Sequence, residues 1–279
     1  MVDVATEVDG PKTGRAAPPL GRRGDDGASS VDPDITTLCS DFYLNQKIAL
    51  TMDVPTGRES VLDLFGRIQR EFPRMERLKR YDGECALESE DTDGTYSWVA
   101  LRQTTLRSGS VNPTSLEEAY KLHRTILEIS PYFLSISPLD LDHLELVFGF
   151  DFEADRDRDE IVFEALLANS PLAELVDRDR ERLVEAQPFI GISLDDDPTM
   201  QAFFEVKSRP ARALGIPGLE GHEPISVYLT VRSSGPIRRL EDLPAMFARL
   251  AGHGERLVEE RLIPSVLVPI RRAILSRPC

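Results

Sequence analysis

The chain says nearly the same thing twice. Thr105-Leu106-Arg107-Ser108-Gly109 is echoed by Thr230-Val231-Arg232-Ser233-Ser234-Gly235. Each stretch is followed by a Leu-Glu-acid, Leu116-Glu117-Glu118 in the first case and Leu240-Glu241-Asp242 in the second. Matching signals in matching order limit the fold, because each copy has to bury the same kind of face.

The segments between the echoes support a doubled unit. In QKIALTMDV, Ile48, Leu50, Met52 and Val54 alternate with polar or small residues, the pattern of a half-buried strand. Val61, Leu64, Phe65, Ile68, Phe72 and Met75 then recur at helical spacing, with Pro73 expected to kink or end the helix. GECALESED and TYSWVALRQTTLR read as two strands joined by the hairpin turn DTDG. Capping-box spacing, Thr114 with Glu117 or Ser115 with Glu118, opens a second helix that runs to about Ile129. The order then restarts. HLELVFGFDF places Leu144, Leu146, Phe148, Phe150 and Phe152 on one face of a strand, and a helix follows. PFIGISLDDD and TMQAFFEVKS form a hairpin turning at Asp197-Pro198, ISVYLTVRS is a further strand, and a long helical stretch closes the chain.

These elements imply an α+β fold of two tandem pseudo-repeats, 42–138 and 141–276, with the extra strand in the second. The architecture expected is ferredoxin-like: a mainly antiparallel sheet covered by helices on one face. Residues 1–34 are rich in Gly, Pro, Asp, Ser and Arg, and read as a disordered tail.

The sheet's other face follows from the alternation. In the second copy it holds Glu145, Val147, Gly149 and Asp151; Phe189, Gly191 and Ser193; Gln201, Phe203 and Glu205; and Tyr228, Thr230 and Arg232. Small residues between aromatic and charged ones suit a surface that something else covers. The ligand or partner candidates are Trp98, Arg102, Arg107, Tyr228 and Arg232. Aligning the echoes turns Arg102 toward the core, so either it meets a carboxylate or a bulge rotates it outward; a bulge or a misaligned repeat is the simpler expectation. Arg107 and Arg232 are expected at strand exits, with the glycine permitting a turn. There they would pair with the acids closing the first strands, Arg107 with Asp53 and Arg232 with Asp151.

The formal net charge of −15 argues against nucleic acid as a partner. No apolar run is long enough to span a membrane, and the N-terminus lacks the pattern of a secretory signal. The odd set Cys39, Cys85 and Cys279 argues against a disulfide framework and for a reducing, cytoplasmic setting. No phosphate-binding glycine loop, nucleophile elbow or zinc-binding histidine spacing is present, so no catalytic residue, cofactor or metal is assigned. DFEADRDRDE fails as a calcium loop, having Arg156 where Gly and Val162 where Glu are needed; its acids suit a helix N-terminus instead. The expectation is a non-catalytic binding or assembly module, with a protein partner or a homodimer. Its working surface is the open sheet face or the segment ERLVEERLIPSVLVPIRRAIL. The alternative is an enzyme or carrier holding haem or an anionic ligand between the repeats.

Overall fold

The structure, a computed structural model, describes residues 37–55, 57–194, 199–208 and 224–276. The tail 1–34, the turn at Asp197-Pro198 and Cys279 lie outside the described residues.

Among the described residues, nine strands form one antiparallel sheet in the order β2-β3-β4-β5-β1-β6-β9-β8-β7. β1 (Asp41–Leu50) lies near the middle. Helix α1 (Arg58–Glu71) carries the chain to the edge strand β2 (Met75–Tyr81). β3 (Glu84–Ser89), β4 (Tyr96–Leu101) and β5 (Thr105–Val111) meander back to β1. Helix α2 (Leu116–Phe133) leads to β6 (Leu141–Phe152), which pairs with the other side of β1. A short helix α3 (Arg158–Val162) and irregular turns reach the opposite edge, β7 (Phe189–Ser193). β8 (Met200–Ser208) and β9 (Ile225–Ser233) then return to β6.

The helices pack on one face because the sheet's apolar residues point there at every second position. Leu44, Ile48, Leu106, Leu146, Phe148 and Phe150 share one continuous core with Leu64 and Ile68 of α1, Ile126 of α2, and Phe247 and Leu250 of α4 (Leu243–Leu257). The chain then widens into π-type turns over Val258–Leu267, around Pro264, before α5 (Val268–Leu275). A proline has no N–H and crowds the preceding turn, and a wider turn relieves both. Val258, Leu262, Leu267 and Ile270 are buried, so the body of the protein absorbs the apolar side of this segment.

Several expectations are corrected. TYSWVALRQTTLR is two strands, β4 and β5, with a tight turn at Arg102-Gln103-Thr104 where Arg102 N donates to Thr105 O at 2.9 Å. Arg102 therefore sits in a turn and not on a strand, and aligning it with the core of β9 fails. The extra strand belongs to the first half, since α1 stops at Glu71, just before Pro73, and Met75 opens β2. β1 ends at Leu50, leaving Met52 64 % exposed and Asp53 beyond the strand. A plait has a two-strand hairpin after its first helix; here the meanders hold four strands and three. The DTDG turn is as expected, with Asp93 and Gly94 both at positive φ. Ser115 caps α2 by accepting from Glu118 N at 3.1 Å, and Asp157 caps α3 by accepting from Asp159 N and Glu160 N.

Candidate functional site

The face turned away from the helices is ordered in cross-strand rows. One runs Arg107, Lys47, Glu145, Arg232, Gln201, Ser193. The next runs Trp98, Gly109, Asn45, Val147, Thr230, Phe203, Gly191. A third runs Tyr96, Val111, Tyr43, Gly149, Tyr228, Glu205, Phe189. All the open-face residues expected in the second half fall into these rows or beside them. On the first half, Ala86, Trp98 and Ala100, with Tyr81 and Tyr96, make a small apolar cluster separate from the main core.

Three glycines organise this face. Gly109 lies directly opposite Trp98, Gly149 opposite Tyr43 and Gly191 opposite Phe203. In each pair the aromatic ring lies over its glycine. A Cβ on Gly109 would clash with the Trp98 ring and with Asn45 Oδ1, one on Gly149 would clash with the Tyr43 ring, and one on Gly191 would meet the Phe203 ring at 3.0 Å. An aromatic ring covering a glycine in this way restores the packing that the missing side chain forfeits. Cations lie over three open-face rings: the Arg107 guanidinium is 5.7 Å from the Trp98 ring centre, Lys207 is 5.5 Å from that of Tyr228, and Arg232 is 5.2 Å from that of Phe203. Trp98 is only 2 % exposed although no described helix packs with its cluster. Tyr43 and Tyr228 meet edge to face at 6.2 Å, and Tyr43 donates to Asp151 at 3.3 Å. Burial, with Asp151 alongside, pushes the Tyr43 phenol well above its usual range, so it stays protonated and donating.

Two buried carboxylates anchor the charges. Glu84 accepts from Arg102 Nε at 2.8 Å and from the Arg107 guanidinium. Glu145, 1 % exposed, accepts from Arg232 Nε at 2.6 Å, with Lys47 Nζ at 3.4 Å and His143 Nε2 at 3.4 Å. Burial holds the His143 imidazole below its usual pKa despite Glu145 beside it. The expected partners are thus corrected: Arg107 meets Glu84 and Arg232 meets Glu145. Asp53 instead accepts from Gln103 Nε2 at 2.6 Å, and Asp151 from Tyr43. The reason is register. Arg107 lies in mid-strand, because β5 continues to Val111, and Gly109 serves Trp98 rather than a strand exit. Arg232 does lie at the end of β9, directly across from Glu145. The site therefore joins Trp98, Arg102 and Arg107 on one wing, Tyr228 and Arg232 on the other, and Lys47 and Tyr43 between them. Glu84, Lys47 and Tyr43 carry no sequence signal that marks them as site residues, whereas Glu145 falls on the open face by alternation.

Chemistry on the helix side is sealed. The Ser108 hydroxyl lies 3.1 Å from Gln46 Oε1 and 2.8 Å from His123 Nδ1. A Ser–His contact can activate a nucleophile. Here both residues are fully buried, and burial drives the His123 pKa down to about 3, too low for a useful base. His123 is thus a core residue and not the boundary residue that its place on an amphipathic helix suggests. Burial and nearby Asp151 push the Cys39 thiol up to about 12, so it stays a neutral thiol. Where α2 ends beside the start of α4, an open cavity of about 270 Å³ is lined by Leu127, Pro131, Tyr132, Leu240 and Pro244, with Glu128 and Glu241.

Among the described residues, no helix is long and apolar enough to cross a membrane, and no group of three or more His, Cys, Asp or Glu is placed to hold a metal ion. No family model and no curated protein matches the chain. Among solved structures, the di-domain ARO/CYC BexL from the BE-7585A biosynthetic pathway is similar at 9% identity and a TM-score of 0.18, over 85% of this chain and 99% of that one.

Proposed function

We propose that the protein is a non-catalytic binding or assembly module that docks a protein partner on the open face of its sheet. The observation that carries this is the pair of half-buried aromatic rings seated on glycines, Tyr43 on Gly149 and Phe203 on Gly191, with half-buried Arg232 and Lys207 lying over open-face rings. Seated rings lose little freedom on binding, and Trp, Tyr and Arg are the side chains on which protein interfaces concentrate their affinity. The −15 net charge favours a protein over a nucleic acid as the partner. Among the described residues, Cys39 and Cys85 form no disulfide, which suits the cytoplasmic reading. The pseudo-repeat reading belongs here too: each half runs strand, helix, meander, helix, and the two opening strands, β1 and β6, pair at the centre.

Site-specific photo-crosslinking in cells that make the protein tests the docking face. A benzophenone side chain at Tyr96, half-buried at the rim of the aromatic row, is expected to capture one reproducible protein. The same group at exposed Tyr132, on the helix layer, is the control. Equal capture at both sites, or none at Tyr96, overturns the reading.

The cavity between α2 and the start of α4 supports a second reading, a small-molecule carrier, because its walls come from both halves of the chain. Glu128 and Glu241 at its rim favour an apolar cation over haem or an anion. An increase in melting temperature with alkylamines and none with fatty acids is the expected result.

A further inference from the structure

The two edges of the sheet are built to opposite specifications. β2 carries Glu76, Arg77, Lys79 and Arg80, the kind of charged edge that discourages another strand from adding. β7 reads Phe189-Ile190-Gly191-Ile192-Ser193, with no charge at all. It is the last strand of the sheet among the described residues. Phe189 is 45 % exposed and Ile190 60 %. Exposed apolar side chains gather in the stretch leading to it: Leu172, Leu175, Val184, Phe189 and Ile190 are five of the eleven large ones among the described residues.

The hydrogen-bond phase shows which backbone groups face outward. Leu194 N donates to Met200 O at 2.9 Å and Val206 N to Pro188 O at 3.0 Å. Antiparallel bonding alternates along a strand, so the even-numbered residues bond to β8. The N–H and C=O of Phe189 and Gly191 therefore point away from the sheet. The strand is also nearly the same in either direction about Gly191, with an isoleucine on each side.

We propose that β7 pairs antiparallel with β7 of a second copy about a two-fold axis at Gly191, joining two sheets into one. In this register Gly191 bonds to Gly191 of the other copy, and Ile190 packs against Ile192 across the axis on the helix side. Charge selects the second copy over a head-to-tail arrangement. Pairing β7 with β2 would lay charged residues against an apolar strand and leave an open-ended chain of molecules. Pairing β7 with itself closes after two. The nearest described open-face charges are matched within the chain, Lys207 with Glu205 at 3.2 Å and Arg232 with Glu145. Five residues per strand make a small interface, of the class that forms and dissociates readily. This inference does not depend on the open-face reading.

Sedimentation velocity of the full chain across the micromolar range provides the test. The average mass of the unaltered protein rises toward twice that of the monomer. Ile190→Lys removes the rise without changing the melting temperature, and Leu78→Lys on the β2 edge leaves it intact. Register is read from Ile190→Cys/Ile192→Cys. These positions face each other across the axis as a non-hydrogen-bonded pair, with Cα atoms ~4.5 Å apart and within disulfide reach, so mild oxidation yields a covalent dimer. A monomer at every concentration, association that survives Ile190→Lys, or association lost with Leu78→Lys overturns the proposal.

Discussion

The two faces of the sheet are covered by different means. On one, Leu44, Ile48, Leu106, Phe148 and Phe150 are covered by helices that bring an apolar stripe of their own. On the other, the sheet covers itself: rings fold over glycines, cationic arms lie along the rings, and the carboxylates of Glu84 and Glu145 close beneath them. The glycine-under-ring device also appears on the helix face, where Gly254 of α4 admits the ring of Phe148. The energetics differ. Apolar burial is favourable throughout, at roughly 25 cal/mol per Å². A buried ion pair gains Coulomb energy but spends most of it on desolvation. The helix face therefore supplies stability, and the open face supplies a fixed arrangement of groups.

If the self-covered face is as closed as the helix-covered one, damage to either should cost alike. Phe148→Ala should cost ~3–5 kcal/mol in urea unfolding, as cavities in a packed core do. Glu145→Ala should approach that range, ~2–3 kcal/mol, because it removes the buried partner of Arg232 and Lys47, which are themselves only partly exposed. A cost for Glu145→Ala below ~1 kcal/mol, the value of an exposed pair, would break the comparison. Next come the glycines at which rings sit closest. Gly149→Ala and Gly254→Ala should each lose ~1–3 kcal/mol, since a Cβ at either site drives into a ring. Acid sharpens the contrast further. His123, held near 3 in the fold against 6.5 when unfolded, contributes stability that is fully present above pH 6.5 and declines as pH falls below it. The expected slope is ~1.4 kcal/mol per pH unit down toward pH 3, and His123→Gln should flatten it by about one proton. Gly191→Ala should have the smallest effect, below ~1 kcal/mol, because the Phe203 ring is 3.0 Å away beside an open edge and can swing aside.

Local patterns were legible and distant pairings were not. The alternation of β6 and the register of its face, the DTDG turn and the Ser115 cap all depend on residues within a few positions of one another. Arg232 and Glu145 are 87 residues apart, and Arg107 and Glu84 are 23 apart across an intervening strand. Nothing in a one-dimensional pattern states which carboxylate a distant arginine will reach. β2 is not legible in the sequence because Glu76-Arg77-Leu78-Lys79-Arg80 has almost no apolar alternation, which is what an edge needs. Gly109 suggested a strand exit because a glycine after Arg-Ser commonly marks a turn; the ring opposite, eleven positions earlier, explains it instead.

The central seam has a consequence for how the molecule is made. β1 contacts Thr105–Val111 on one flank and Leu141–Phe152 on the other, so both neighbours leave the ribosome long after it does. Until Val111 is made, Phe42, Leu44 and Ile48 have neither neighbour, and until Phe152 is made one flank of their strand stays open. The hairpins from Met75 to Leu101 need no such wait. Assembly should then proceed from the wing inward, and slowing translation between Val111 and Phe152 should prolong the window in which chaperones bind this segment.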